Sequence, residues 1–123
     1  MAILTRADDW EAMFEVLNTA PRRLMGAPNW LETCLVFDNR ANFYATMRLD
    51  VVVRDLRIVI TPFDANMAEL ARFAHQRYGR GSKHPAKLNY GDCMAHALAK
   101  TTGEPLLFKG NDFIHTDVER VHY

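Results

Sequence analysis

Cysteine is scarce in this sequence. Among 123 residues there are two, Cys34 and Cys93, and they form no C-x-x-C pair. That excludes a disulfide framework or a thiolate zinc site, and both read as small core residues in a reducing, cytoplasmic setting. Long hydrophobic runs are missing too: no apolar stretch approaches the ~18 residues that cross a bilayer. The start Met1-Ala2-Ile3-Leu4 turns charged at Arg6-Ala7-Asp8-Asp9, so neither a secretory leader nor a membrane partner is expected. Charge of one sign is not in excess either, since 15 Lys and Arg face 15 Asp and Glu. Repeats and low-complexity segments are absent. What is present is one domain's length, residues 1–123, with 49% hydrophobic residues, enough for a single packed core.

The balanced total hides an uneven distribution. From Arg72 to Lys87 the chain carries Arg72, Arg77, Arg80, Lys83 and Lys87, with His75 and His84, and no acid. The first twenty residues carry Asp8, Asp9, Glu11 and Glu15 against one base. A local basic patch suits a polyanion whatever the net charge, although a solvated helix face followed by a loop has the same composition. Residues 79–92 read G-R-G-S-K-H-P-A-K-L-N-Y-G-D, a basic, glycine-containing loop leading into a helix with a carboxylate in its first turn. Residues 104–117 read E-P-L-L-F-K-G-N-D-F-I-H-T-D, an apolar run that delivers further carboxylates at its end.

Periodicity predicts a helix over residues 7–18, with Trp10, Met13, Phe14 and Leu17 on one face. A short strand is expected at 23–27. Pro28-Asn29 opens a second helix bearing Trp30, Leu31, Cys34, Leu35 and Phe37. Residues 42–56 read as a third helix through Phe43, Met47 and Val51, although Val51-Val52-Val53 is strand-like by propensity. A strand follows at 57–63. Asp64 caps a helix over 65–78, with Met67, Leu70, Ala71 and Ala74 inward and Gly79 as its stop. A loop at 80–88 leads to a helix over 89–102 ended by Gly103, and strands are expected at 105–109 and 118–121. Short apolar strands alternating with helices predict α/β architecture with a parallel sheet, whose ligands bind beyond the strands' carboxyl ends.

The acids that bear on chemistry are Glu32, Asp92, Asp112 and Asp117. Carboxylates ~4 Å apart repel by ~4 kcal/mol at an effective dielectric of ~20, so a cluster persists only with shared protons or a cation between them. Oxygen ligands without a Cys or His core select Mg²⁺ or Mn²⁺, which polarise a phosphoryl oxygen and activate water for in-line attack. Each acid also has a structural role open to it: Asp92 as complement to a helix dipole, Glu32 as an exposed helical residue, Asp112 and Asp117 as turn or capping residues. The conjunction with the basic loop is what favours the site. His84 is a possible phosphate contact, Lys109 and Asn111 flank a strand end, His96 four residues after Asp92 reads as packing, and His115 sits between Asp112 and Asp117. Ser82 has no partnered His–acid pair and is not read as a nucleophile.

These residues carry a resemblance. G-R-G-S-K-H-P-A-K-L-N-Y-G-D-C, A-L-A-K-T-T-G-E-P-L-L-F-K-G-N-D-F and H-T-D-V resemble the C-terminal half of VapC-type toxins of type II toxin–antitoxin systems, which are PIN-domain ribonucleases. R-L-M-G-A-P-N-W-L-E-T resembles that family's second strand and the helix with its second acid. The resemblance implies a PIN-like three-layer α/β/α sandwich with a parallel sheet, and Mg²⁺- or Mn²⁺-dependent endonucleolytic cleavage of RNA. It also implies a VapB-type antitoxin that occludes the site, and a homodimer. By motif, Glu32 matches the family's second acid, Asp92 the third, Asp112 the acid of the G-x-D-F segment and Asp117 the nearby T-D acid. Glu32, Asp92 and Asp112 are then the expected metal ligands, and Arg77, Arg80, Lys83, His84, Lys87 and Lys109 the expected RNA contacts.

The chain departs from the family in one respect: no hydrophobic strand with a D-T-S-A type motif precedes residue 8, so the first acid and the central strand bearing it are missing. One expectation is a start assigned too late, at a position where relatives carry Val, with the natural chain longer. The other is a genuinely short form with a weakened metal site and an uncovered sheet centre. A non-catalytic module that binds RNA or antitoxin is the alternative function. A receiver-like phosphoryl-transfer domain fits the strand-end acids but not the basic loop.

Overall fold

A computed structural model of the chain describes residues 9–39 and 43–123. The expectations resting on residues 1–8, including the missing strand, and the start of the third helix at residue 42 lie outside the described residues. The chain divides into two compact units, Met1–Thr61 with Tyr123, and Pro62–His122.

In the first unit the order is α1 (Trp10–Thr19), β1 (Leu24–Gly26), α2 (Ala27–Asn39), α3 (Phe43–Asp55) and β2 (Val59–Thr61). β1 and β2 pair in parallel, with Leu24 opposite Val59, Met25 opposite Ile60 and Gly26 opposite Thr61. Parallel neighbours need a long crossover, and α2 and α3 supply it. Phe37 and Leu49 form the buried centre, with Cys34, Val52 and Val53 against it. The stripe Leu49, Val52, Val53 and Leu56 faces inward, whereas Met47 and Val51, on the stripe that periodicity suggested, are 49% and 41% exposed. Both stripes have helical spacing, and the one that meets Phe37 of α2 is the one buried. On α2 the structure likewise buries Thr33 and Phe37 and leaves Leu31 and Leu35 exposed. The Thr33 hydroxyl donates to the Asn29 carbonyl at 2.9 Å, which satisfies it inside its own helix.

α3 ends in a Schellman turn. The Ile58 amide donates to the Val53 carbonyl at 2.9 Å and the Arg57 amide to the Arg54 carbonyl at 3.1 Å. Arg57 occupies the left-handed position at φ 52°, where glycine is the usual residue. Arg57→Gly should therefore raise stability by about 0.5–1 kcal/mol in denaturant unfolding, and a loss of stability would show that the arginine side chain outweighs its backbone strain.

The second unit contains α4 (Ala65–Tyr78) and α5 (Tyr90–Thr102). The Asp64 carboxylate accepts from the Met67 amide at 2.9 Å and begins α4 where the sequence placed it. The buried face of α4 is Met67, Ala74 and Tyr78, and Leu70, expected inward, is 37% exposed. Ala74, Tyr78, Ala86, Leu88, Cys93, Phe108 and Phe113 make the core of this unit. The strands expected at 105–109 and 118–121 are not formed. They meet at one isolated parallel bridge, Leu106 with Arg120, held by Leu106 donating to Glu119 at 2.8 Å and Val121 to Leu106 at 3.0 Å. The segment is fixed by side chains instead: Phe108 and Phe113 rings lie 5.2 Å apart, with the Arg120 guanidinium 5.2 Å over Phe108. Among the described residues every strand pairing and isolated bridge is parallel, as an α/β fold requires. No described helix is long and apolar enough to cross a membrane.

Candidate active site

Asp92 is placed by a capping box at the start of α5. The Asn89 side chain accepts from the Asp92 amide at 2.9 Å, and the Asp92 carboxylate accepts from the Asn89 amide at 3.0 Å. One carboxylate oxygen is thus fixed, in a partly buried position. Burial pushes the Asp92 carboxyl above its ordinary range. The Asn89 amide pulls it back, the nearby Asp112 charge pushes it up again, and Arg80 pulls it down. The like charge of Asp112 and the opposite charge of Arg80 thus both act on Asp92. Asp112 is exposed, just after Gly110, whose φ of 92° sets the turn.

Asp117 is arranged differently. Its Oδ1 lies 2.9 Å from His96 Nε2 and its Oδ2 3.1 Å from Lys100 Nζ. Desolvation pushes this carboxyl up, but the hydrogen bonds and charges of His96 and Lys100 outweigh it and hold the pKa at about 2. The His96 side chain is buried and Tyr78 packs on it with centroids 5.6 Å apart, while its Nδ1 has no hydrogen-bond partner among the described residues. Asp117 is thus tied to α5 on both oxygens. The spacing of His96 and Lys100, i and i+4 on one helix face, was the available signal for an incoming acid.

The basic loop is a built structure. Gly79 and Leu88 form a parallel bridge: the Leu88 amide donates to the Tyr78 carbonyl at 2.8 Å and the Arg80 amide to the Leu88 carbonyl at 3.1 Å. The Ser82 hydroxyl donates to the Gly79 carbonyl at 2.6 Å, and Ala86 and Leu88 anchor the return strand in the core at 1% and 0% exposure. Lys83 and Lys87 stand exposed at left-handed φ of 65° and 51°. His84 is half-buried: its Nδ1 accepts from the Ala86 amide at 3.1 Å and its ring meets Tyr78 edge-on at 4.9 Å. That bond puts the ring proton on Nε2 and makes His84 a brace for the loop. The Arg77 guanidinium lies 5.1 Å over the Tyr78 ring, and Arg77, Arg80 and Lys109 are exposed. Glu32 is exposed on α2 in the first unit.

Among the described residues no three or more His, Cys, Asp or Glu side chains gather closely enough to share an ion. Mg²⁺ needs fewer: it is commonly held by one or two carboxylates and keeps its remaining waters. The Asp92–Asp112 pair, all oxygen and carrying its own repulsion, fits that chemistry and does not fit zinc. Neither cysteine offers a thiolate, since both are free thiols whose pKa burial raises, Asp38 and Asp50 adding to it at Cys34 and Asp92 at Cys93.

The family described as PIN domain matches residues 1–119. The chain is 41% identical over 118 residues to VapC ribonuclease Mb2780c of Mycobacterium bovis, covering 96% of this chain and 90% of that one. It is 42% identical over 120 residues to ribonuclease VapC28 of Mycobacterium tuberculosis, covering 98% and 90%. It is 42% identical over 122 residues to a ribonuclease VapC of Mycolicibacterium smegmatis, covering 99% and 94%.

Proposed function

Because this chain belongs to the PIN-domain family, with VapC-type ribonucleases as its relatives over nearly its whole length, we infer that it is an endoribonuclease toxin that cuts RNA phosphodiester bonds. Its fold class, α/β with parallel strand pairing, is that of the family. What supports the reading is that the charges of Asp112 and Arg80 both act on the partly buried Asp92 carboxyl, which the capping box holds at the start of α5. Asp92 and Asp112 would hold a Mg²⁺ or Mn²⁺ ion, with Glu32 assigned as a further acid from its motif. Such an ion, when bound, polarises a phosphoryl oxygen and lowers the pKa of a water. The capping box fixes the orientation of Asp92, so its free oxygen is preorganised. Arg80 offers a guanidinium to the phosphate, and Lys83, Lys87, Arg77 and Lys109 supply the salt-sensitive attraction that holds an RNA backbone. Asp117 acts as a tether that positions Asp112, five residues before it, through the segment between them. A VapB-type antitoxin and a second copy of the chain are the protein partners of this reading, in the cytoplasm.

One competing reading is a PIN module that binds RNA without cutting it, since the basic loop from Arg77 to Lys87 can hold an RNA backbone with no metal. Cleavage of a structured RNA by the purified chain, with Mg²⁺ or Mn²⁺ and with EDTA, separates the two. Metal-dependent cutting is expected. Folded protein that binds RNA yet leaves it intact in both metals would overturn the nuclease.

A further inference from the structure

A groove of about 660 Å³ runs between α4 and α5 and shares Asn89 and Arg80 with the site described above. Its floor is mostly apolar, with Phe63, Ala71, Cys93 and Met94, and its rim carries Arg72, His75 and Arg80 with Tyr90 at one end. No acidic side chain lines it. Tyr90 is 80% exposed, a large aromatic surface beside an apolar cleft. Arg72 is exposed and makes no hydrogen bond or ion pair among the described residues.

We propose that this groove is a nucleotide subsite of the enzyme, taking one unpaired base of the RNA on its apolar floor and Tyr90, with the adjoining phosphate on Arg72 and Arg80.

The proposal rests on the ribonuclease reading and adds what part of the substrate is gripped, and where. A volume of this size suits a single nucleotide and not a duplex. Unstacked bases are held on aromatic and apolar side chains, whereas a paired base presents no free face. An apolar floor alone would suit many occupants, but a rim of cations with no acid selects an anionic one. Asn89 links the groove to the acids, since it lines the groove, as Arg80 does, and its side chain accepts from the Asp92 amide at 2.9 Å. A base seated here therefore belongs to a nucleotide next to the scissile phosphate, and the groove demands that this nucleotide be single-stranded. The sequence hinted at the groove through Ala68, Ala71, Arg72 and His75, which fall on one face of α4.

The test is fluorescence anisotropy of a short labelled single-stranded RNA with the full chain in EDTA, so that no cutting occurs. Tyr90→Ala and Ala68→Trp are expected to raise Kd by about five- to tenfold, the second by filling the groove from an exposed position. Arg72→Ala should shallow the slope of log K against log salt by about 0.7. Circular dichroism and melting verify that the variants fold, and the three substitutions at exposed positions guard against loss of any one. A blunt-ended duplex of the same length, with every base paired, should bind the wild type and Tyr90→Ala alike. Unchanged RNA affinity in all three folded variants would overturn the subsite. So would intact RNA binding with loss of binding to a protein partner, which would make the groove a protein-docking surface. If Lys83→Gly and Lys87→Gly alone weaken binding, the loop and not the groove holds the RNA. Wild-type protein that neither binds nor cuts RNA would instead overturn the ribonuclease reading beneath it.

Discussion

Asp92→Asn should lower metal-dependent RNA cleavage by about a thousandfold, the loss of roughly 4 kcal/mol of transition-state stabilisation, while leaving the metal-free protein more stable than wild type. The two halves of this expectation come from one environment. Burial, with the Asp112 charge adding to it, raises the Asp92 pKa, so the folded state resists the ionised form. A carboxyl raised on folding favours the fold at pH below its unfolded value, and that benefit is lost as pH rises through the folded value. At pH 7 the ionised Asp92 therefore opposes folding, and the neutral amide relieves it. Asn preserves the capping box, because its side-chain oxygen still accepts from the Asn89 amide. Thermal melting without metal should place the variant about one to three degrees above wild type, with the gap closing as pH falls toward 4. Adding Mg²⁺ should raise the wild-type melting temperature and leave Asp92→Asn unmoved, since only a ligand bound by the native state stabilises it. A variant that is less stable than wild type, or that still responds to Mg²⁺, would show that Asp92 is a structural cap and not a ligand.

What the sequence made legible follows how local each determinant is. The helix at 65–78 matches its expected bounds because Asp64 and Gly79 close it on both sides, and α5, expected over 89–102, runs Tyr90–Thr102 with Asn89 as its cap and Gly103, at φ 71°, as its stop. Parallel pairing was legible from short apolar runs between helices. The helix face of α3 was not, because Phe43–Met47–Val51 and Leu49–Val52–Val53–Leu56 have equal claim until Phe37 is known to lie opposite. Leu106-Leu107-Phe108 has the composition of a buried strand, yet forms a single bridge, since a strand depends on partners that composition does not reveal. At the site, Asp92 was legible as a first-turn acid and its nearness to Asp112 came through the family motif. The engagement of Asp117 was hidden because its partner His96 lies 21 residues away.

That engagement has a large expected effect on stability. Asp117→Ala should cost about 2 kcal/mol, because it leaves the buried His96 ring, whose Nδ1 already lacks a partner, without its Nε2 contact as well. Lys100 adds less, since it and Asp117 are each more than 40% exposed and water screens the pair. Asp117→Asn should cost less than Asp117→Ala, for the amide oxygen still accepts a hydrogen bond. A double-mutant cycle with His96→Leu isolates the contact, and a coupling of about 1 kcal/mol or more is expected between these neighbours. The pH dependence carries the opposite sign to that of Asp92. Asp117 is depressed from an ordinary 3.8 to about 2, so its stabilisation is fully present above pH 4 and is lost as pH falls toward 2. Wild-type stability should therefore drop across that window more steeply than that of Asp117→Asn. The substitution also loosens the segment that carries Asp112, where Phe113 is buried and the Thr116 hydroxyl donates to the Phe113 carbonyl at 2.7 Å. Cleavage by Asp117→Ala should accordingly fall severalfold at saturating metal, with the metal concentration for half-maximal activity rising. Equal losses in Asp117→Ala and Asp117→Asn with wild-type stability would mean that Asp117 contacts the metal or RNA directly, and that its ion pair with α5 opens in the working enzyme.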